Sequence, residues 1–188
     1  MLEARQLLAA VGIFSSDLDI GSPALAGSAN YSSGTYTVNG GGADIGGNSD
    51  QLNFANGAFV GDGSIVARVN SLTNTDTAAK AGIMFRHDTS ATSAFAGIFL
   101  TPSSGITFVI RTADGGTAGS NTTFGPHIPE YVKLTRGGSS VSAYYSADGI
   151  TWSQLGSSQT ITLRACCWTH RSSGWYVGGD TKTLRVPR

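Results

Sequence analysis

"KAGIMFRHDTSATSAFAGIFLTPSSGITFVIRT", residues 80 to 112, carries three strand patterns in succession. In "KAGIMFRH" (80 to 87), Ile83 and Phe85 fall on one face and Gly82, Met84 and Arg86 on the other, as successive side chains of a strand must. "SAFAGIFLT" (93 to 101) is apolar on both faces, which suits a central strand. "GITFVIRT" (105 to 112) alternates Ile106, Phe108 and Ile110 against Thr107, Val109 and Arg111. A period of two, broken by polar turns, excludes a helical reading of this region.

The same spacing continues on both sides. "ANYSSGTYTVNGG" (29 to 41) is a hairpin with Ser-Ser-Gly as its turn, and "QLNFA" (51 to 55) follows. In "GSIVARVNSL" (63 to 72), Ile65, Ala67 and Val69 oppose Val66 and Arg68. "EYVKLTR" (130 to 136), "SVSAYYS" (140 to 146) and "ITWSQLG" (150 to 156) complete the series. Asp148-Gly149 inside "YYSADGITW" predicts a hairpin with a two-residue primed turn. The same letters come one residue short of a sialidase Asp-box and occur once. Short strands at this spacing predict an all-β chain, a two-sheet antiparallel jelly-roll β-sandwich.

Composition narrows the function. The 188 residues make one domain's worth of chain; formal charge is zero and 13% of residues are charged, so no basic field is available to hold nucleic acid. No run of about 18 apolar residues exists to span a membrane. "MLEARQLLAAVGIF" has the outline of a degenerate signal peptide, but Glu3 interrupts its charged region, and residues 1–13 read as an N-terminal extension. Catalysis is not expected, and no catalytic residue is assigned. A glycosidase needs two facing carboxylates, yet the chain has two Glu, Glu3 and Glu130, and most of its Asp lie beside Gly, Ser, Asn or Thr in turn-like contexts. No Gly-x-Ser-x-Gly elbow is present, and His87, His127 and His170 have no evident partner.

Two binding readings remain. Arg68, Arg86 and Arg111 fall at outward positions of neighbouring strands, with Lys133 beside them; together with Met84 and Thr107 they form a row suited to sugar hydroxyls or an acidic glycan. The competing reading is a solvated face whose charges keep strands from pairing with other molecules. For calcium, Asp44, Asp50 and Asp76, with Asn48 and Asn74, offer hard oxygen ligands; the competing reading is ordinary loop chemistry, and no other cofactor is expected.

"SGTYTVNGGGADI", "NTDTAAKAGIMFR" and "SADGITW", in that order, resemble the DUF1349-type domains of the concanavalin A-like lectin/glucanase superfamily, over about residues 14–163. The resemblance implies a concanavalin A-like sandwich and an accessory or adhesive role in a larger extracellular or cell-surface bacterial protein. Its implied partners are a polysaccharide or other glycan and neighbouring domains. A spacer with no ligand is the alternative, and a glucanase-like glycoside hydrolase a distant third. Where the family usually carries Trp after "GADI" this chain has Gly46, so an aromatic platform there is lost.

Residues 164–188 depart from the pattern. The family continues with a buried apolar-apolar-Gly-Leu-Ala-Val strand, a turn and a closing strand; this chain has "RACCWTHRSSGWYVGGDTKTLRVPR". Cys-Cys-Trp-Thr is encoded TGY-TGY-TGG-ACN. Read one nucleotide forward, it becomes GYT-GYT-GGA-CN: Val or Ala twice, Gly, then a codon family that includes Leu. The stretch from about residue 164 therefore reads as a frame-shifted translation of the last two strands, leaving the sandwich incomplete at its C-terminus. Within it, "GWYVGG" and "KTLRV" have strand character and are expected to pair in the vacated places. Adjacent Cys166 and Cys167 with His170 make a poor zinc site, since its cysteines are usually spaced by two to four residues.

Overall fold

The computed structural model describes residues 12–125, 128–163, 173–177 and 182–185. Its strands are β1 (Ser16–Ile20), β2 (Ser28–Ser32), β3 (Thr35–Asn39), β4 (Leu52–Gly57), β5 (Gly63–Leu72), β6 (Ala81–Arg86), β7 (Phe95–Thr101) and β8 (Gly105–Arg111). They continue with β9 (Gly119–Thr123), β10 (Glu130–Gly137), β11 (Ser140–Ser146), β12 (Ser153–Gln154), β13 (Gln159–Thr160), β14 (Ser173–Val177) and β15 (Lys182–Arg185). One sheet runs β1-β4-β14-β6-β7-β8-β9. The other runs β12-β11-β10-β5-β15-β3-β2, with β13 beside β11. All the pairings are antiparallel, and the architecture is the expected two-sheet sandwich.

Alternation places the core. Ile83 and Phe85 of β6, Ala96, Ile98 and Leu100 of β7, and Ile106, Phe108 and Ile110 of β8 pack between the sheets. From the other sheet they meet Ala67 and Val69 of β5, Val132 and Leu134 of β10, and Val141 and Ala143 of β11. Burying each of the Val, Leu, Ile and Phe side chains among them contributes on the order of 1.5–3 kcal/mol. The opposite face of the β6-β7-β8 sheet is also covered: Leu52, Phe54, Met84, Phe95, Phe99 and Val109 form a second core, with Ile45, Ala91 and Ala118 supplied by loops. That second core is why β7 reads as apolar on both faces.

Two turns differ in outcome. In the β2–β3 hairpin, Ser32 pairs with Thr35, and Ser33 and Gly34 both have positive φ, a two-residue primed turn within the expected Ser-Ser-Gly. The β11–β12 hairpin corrects the expectation of a two-residue turn at Asp148-Gly149. Tyr145 pairs with Ser153, so Ala147 to Trp152 form a longer loop after β11, and only Ser153 and Gln154 of "ITWSQLG" are strand.

Both strand-like runs of the C-terminal stretch lie inside the sheets. β14 pairs with β4 and β6, and β15 with β3 and β5, the latter with a register shift between Thr183 and Leu184. Each fills an interior position. The signal-like N-terminal run as far as Val11, His127, the cysteine pair and His170 lie outside the described residues.

Candidate functional site

The expected row of cations is divided between the two sheets. β5 and β6 are consecutive in sequence but belong to different sheets, so "outward" on one is not the same surface as "outward" on the other.

Met84, Arg86 and Arg111 sit on the covered face of the β6-β7-β8 sheet and are not solvated, which corrects the exposed placement expected for them. Both guanidiniums have no exposed side-chain surface and share one carboxylate, Asp50, itself fully buried. Arg86 Nη1 donates to Asp50 Oδ2 at 2.7 Å; Arg111 donates through Nη2 to Oδ1 at 2.7 Å and through Nη1 to Oδ2 at 2.9 Å. Remaining donors go to carbonyls: Arg86 to Ser90 at 2.7 Å, Arg111 to Gly46 at 2.9 Å and Ser93 at 3.0 Å. Phe95 lies beneath, its ring centroid 4.9 Å from the Arg111 guanidinium carbon and 5.6 Å from that of Arg86. Burial lowers the Arg86 pKa and the neighbouring Asp50 charge works against that fall. The cluster clips the 44–50 and 88–93 loops onto the sheet.

The three aspartates named for calcium have other employment. Asp50 faces two guanidiniums, which oppose a further cation; Asp44 pairs with Lys80; Asp76 accepts from the Ala78 amide at 2.7 Å. Among the described residues no three His, Cys, Asp or Glu side chains group as a metal site.

Arg68 and Lys133 do come together, on the outer face of the other sheet. In β10, Val132 and Leu134 point to the core, so Tyr131 and Lys133 point away. Register places Lys133 opposite Val66 and Tyr144, and Tyr131 opposite Arg68. The Lys133 ammonium lies 4.1 Å from the Trp152 ring centroid and 4.8 Å from that of Tyr144, while the Arg68 guanidinium lies 5.5 Å from the Tyr131 ring centroid. Arg68 Nη1 also donates to Asn70 Oδ1 at 2.8 Å. Partial burial lowers the Lys133 pKa. Sequence reasoning missed Tyr131, Tyr144 and Trp152, although alternation in "EYVKLTR" already puts Tyr131 on the face of Lys133, and alternation in "SVSAYYS" puts Tyr144 with Ser142 on the face away from Val141 and Ala143.

The loop carrying Trp152 is held by its own side chains. Asp148 Oδ1 accepts from the Ile150 and Thr151 amides, each at 2.8 Å, and from Ser146 Oγ at 2.8 Å. These bonds hold the Asp148 carboxyl far below its ordinary value, so it is not suited to act as a general acid. Gly149 has φ +72°, and an added Cβ would lie 3.1 Å from the Tyr131 ring. Beyond this loop a groove of about 700 Å³ is lined by Asp148, Thr151, Ser153, Glu130 and Phe124. A second, of about 430 Å³, lies on the other side of Phe124, which is 77% exposed.

No family model matches the chain, and no curated protein matches it. Among solved structures, it is similar to a functionally unknown protein from Saccharomyces cerevisiae, at TM-score 0.56 and 14% identity over 92% of this chain and 97% of that one. It also matches the exoplasmic/lumenal domain of VIP36 in a Ca2+/Man-bound form, at TM-score 0.49 and 10% identity over 86% of this chain and 80% of that one. A xylan β-1,4-xylosidase from Bacillus halodurans matches at TM-score 0.46 and 15% identity, over 82% of this chain but 33% of the enzyme. At these identities the likeness is one of fold. That fold is a two-sheet antiparallel β-sandwich.

Proposed function

We propose that the chain is a noncatalytic glycan-binding module of the DUF1349 type, an accessory part of a larger extracellular protein, and that it binds through the outer face of the β5-β10-β11 sheet. The observation that carries this reading is the Lys133 ammonium held against Trp152 and Tyr144, beside Arg68 on Tyr131. Fixed rings offer apolar surface to a sugar ring, and fixed cations donate to its oxygens with little side-chain entropy left to lose. Among the described residues neither cation has a carboxylate partner in an ion pair, which favours an acidic polysaccharide.

Pull-down and array binding against acidic and neutral glycans tests this, with K133M and W152A as the informative variants. Each is expected to weaken binding about tenfold, and added salt to weaken it further. F124A is expected to leave it unchanged, because Phe124 stands apart between the two grooves. Loss with F124A and retention with W152A would move the site to the grooves. Absence of binding throughout would favour the spacer reading, and hydrolysis of a β-glucan would revive the enzyme. Arg86 and Arg111 are unsuitable test positions, since their loss frees the loops they clip. The frame-shift origin of the stretch from about residue 164 belongs to the same reading; sequencing the coding DNA tests it, and a next frame without the Val/Ala-Gly-Leu strand would refute it.

A further inference from the structure

The outer face of the β5-β10-β11 sheet is ordered in rungs along β10. Val132 and Leu134 point to the core, so Tyr131, Lys133 and Thr135 share the outer face, and the residues directly opposite them on β5 and β11 share it too. The first rung is Arg68–Tyr131–Ser146, the second Val66–Lys133–Tyr144 and the third Ser64–Thr135–Ser142. Successive rungs stand two residues apart along the strand, which places about 6.7 Å between neighbours and about 13 Å between the first and the third.

The rungs differ in chemistry. The first two carry the cations and rings described above, whereas the third carries hydroxyls. Ser64 Oγ and Thr135 Oγ1 lie 2.9 Å apart, and Ser142 Oγ lies 2.7 Å from Ser158 Oγ, between β12 and β13. Gln154, opposite Tyr144, donates through Nε2 to Ser158 Oγ at 3.3 Å and so joins the second rung to the third. Arg136 brings no charge to the third rung: it falls on the core-side parity of β10, and its guanidinium donates to the Gly138 and Leu163 carbonyls, each at 3.1 Å. At the first rung the β11 side is closed, because Ser146 Oγ is bonded within the loop that follows β11 and Gly149 lies against the Tyr131 ring. A chain crossing the strands there meets the loop, while a chain laid along β10 meets all three rungs.

We infer that this face takes an internal stretch of an acidic polysaccharide laid along β10, with acidic groups on Arg68 and Lys133, a sugar ring against Trp152 and Tyr144, and the following sugars on Thr135, Ser142 and Ser158. The inference rests on the glycan-binding reading and adds to it the direction of the chain, its length and the hydroxyl rung. A span of about 13 Å is more than a disaccharide covers, so a tetrasaccharide is the shortest ligand that reaches every rung. A hydroxyl keeps donor or acceptor capacity beyond one hydrogen bond, so the paired Ser and Thr groups still meet sugar hydroxyls. Ser64 and Ser158 stand exposed at the far end, which lets the polymer continue past the third rung instead of ending there.

The test is calorimetric titration of the full chain with size-fractionated oligogalacturonates and, in parallel, with sulfated galactan oligomers; the series that binds identifies the acidic group as carboxylate or sulfate. Affinity is expected to rise about tenfold from disaccharide to tetrasaccharide and by less than about twofold from tetrasaccharide to hexasaccharide. The double variant T135V/S158A is expected to bring the tetrasaccharide back to within about threefold of the disaccharide and to leave the disaccharide unchanged, whereas K133M weakens both. Should the double variant melt below the wild type, S158A alone decides, through a loss of about threefold for the tetrasaccharide and none for the disaccharide. Affinity independent of length, or a tetrasaccharide indifferent to the loss of the hydroxyls, overturns this inference and leaves the glycan face standing. No binding by either series overturns the face and the inference together.

Discussion

Asp50 is one carboxylate serving two buried guanidiniums, so the cluster keeps a formal positive charge inside the protein. Removing its negative partner leaves two cations without compensation, which is the costly way to break a buried pair. D50N is expected to destabilise by about 3–5 kcal/mol, read as a fall in the chemical-denaturation midpoint at unchanged slope. An apolar triple replacement should not restore stability, because the Gly46, Ser90 and Ser93 carbonyls would lose their donors. Asp148 behaves differently, being exposed and held by amides of its own loop. Its depressed carboxyl contributes stability that is present above the ordinary value of 3.8 and lost as pH falls through the folded-state value. The stability difference between wild type and D148N, measured by melting across pH, is therefore expected to be largest above about pH 5 and to shrink as the solution is acidified. Asp50 and Asp148 both stand in Gly- and Ser-rich sequence, and nothing in that local context separates the buried one from the exposed one.

At the scale of elements, the loop from Ala147 to Trp152 shows how turn chemistry exceeds a dipeptide rule. Asp148-Gly149 marks the reversal, but the Asp148 and Ser146 side chains satisfy amides across a longer span than two residues need. G149A combines positive φ with approach to the Tyr131 ring, and is expected to cost about 1–2 kcal/mol and to disturb the near-ultraviolet signal of the neighbouring aromatics. Strands β6 and β8 were legible residue by residue because a period of two is a local property, and β7 as a short apolar run between turns. β1 and β9 were not: "SDLDI" alternates over only five residues, too short a run to stand out, and "GSNTT" is a polar edge strand with no buried face to betray it.

For the whole molecule, the positions of β14 and β15 matter most. Each lies between two other strands, so removing either opens a gap in the middle of a sheet and exposes unpaired ladder groups. Truncation after Leu163 is expected to abolish cooperative melting and to promote aggregation, seen by calorimetry and light scattering. A chain that still melted cooperatively at the wild-type temperature would show that these strands contribute nothing. The backbone ladder itself asks little of side-chain identity, so a stretch with strand character can occupy a place that the resemblance assigns to a different sequence.

By itself the sequence determined the all-β class, the strand spacing, and which residues of β5, β6 and β8 share the face between the sheets, because alternation and turn residues act over a few positions. The sharing of Arg68, Lys133, Tyr131, Tyr144 and Trp152 on one face was decided only by the tertiary structure. So was the burial of Arg86 and Arg111 on Asp50. Those outcomes depend on which sheet a strand joins and which loop covers it, and pairings between segments far apart in the chain are set by packing that no local period records.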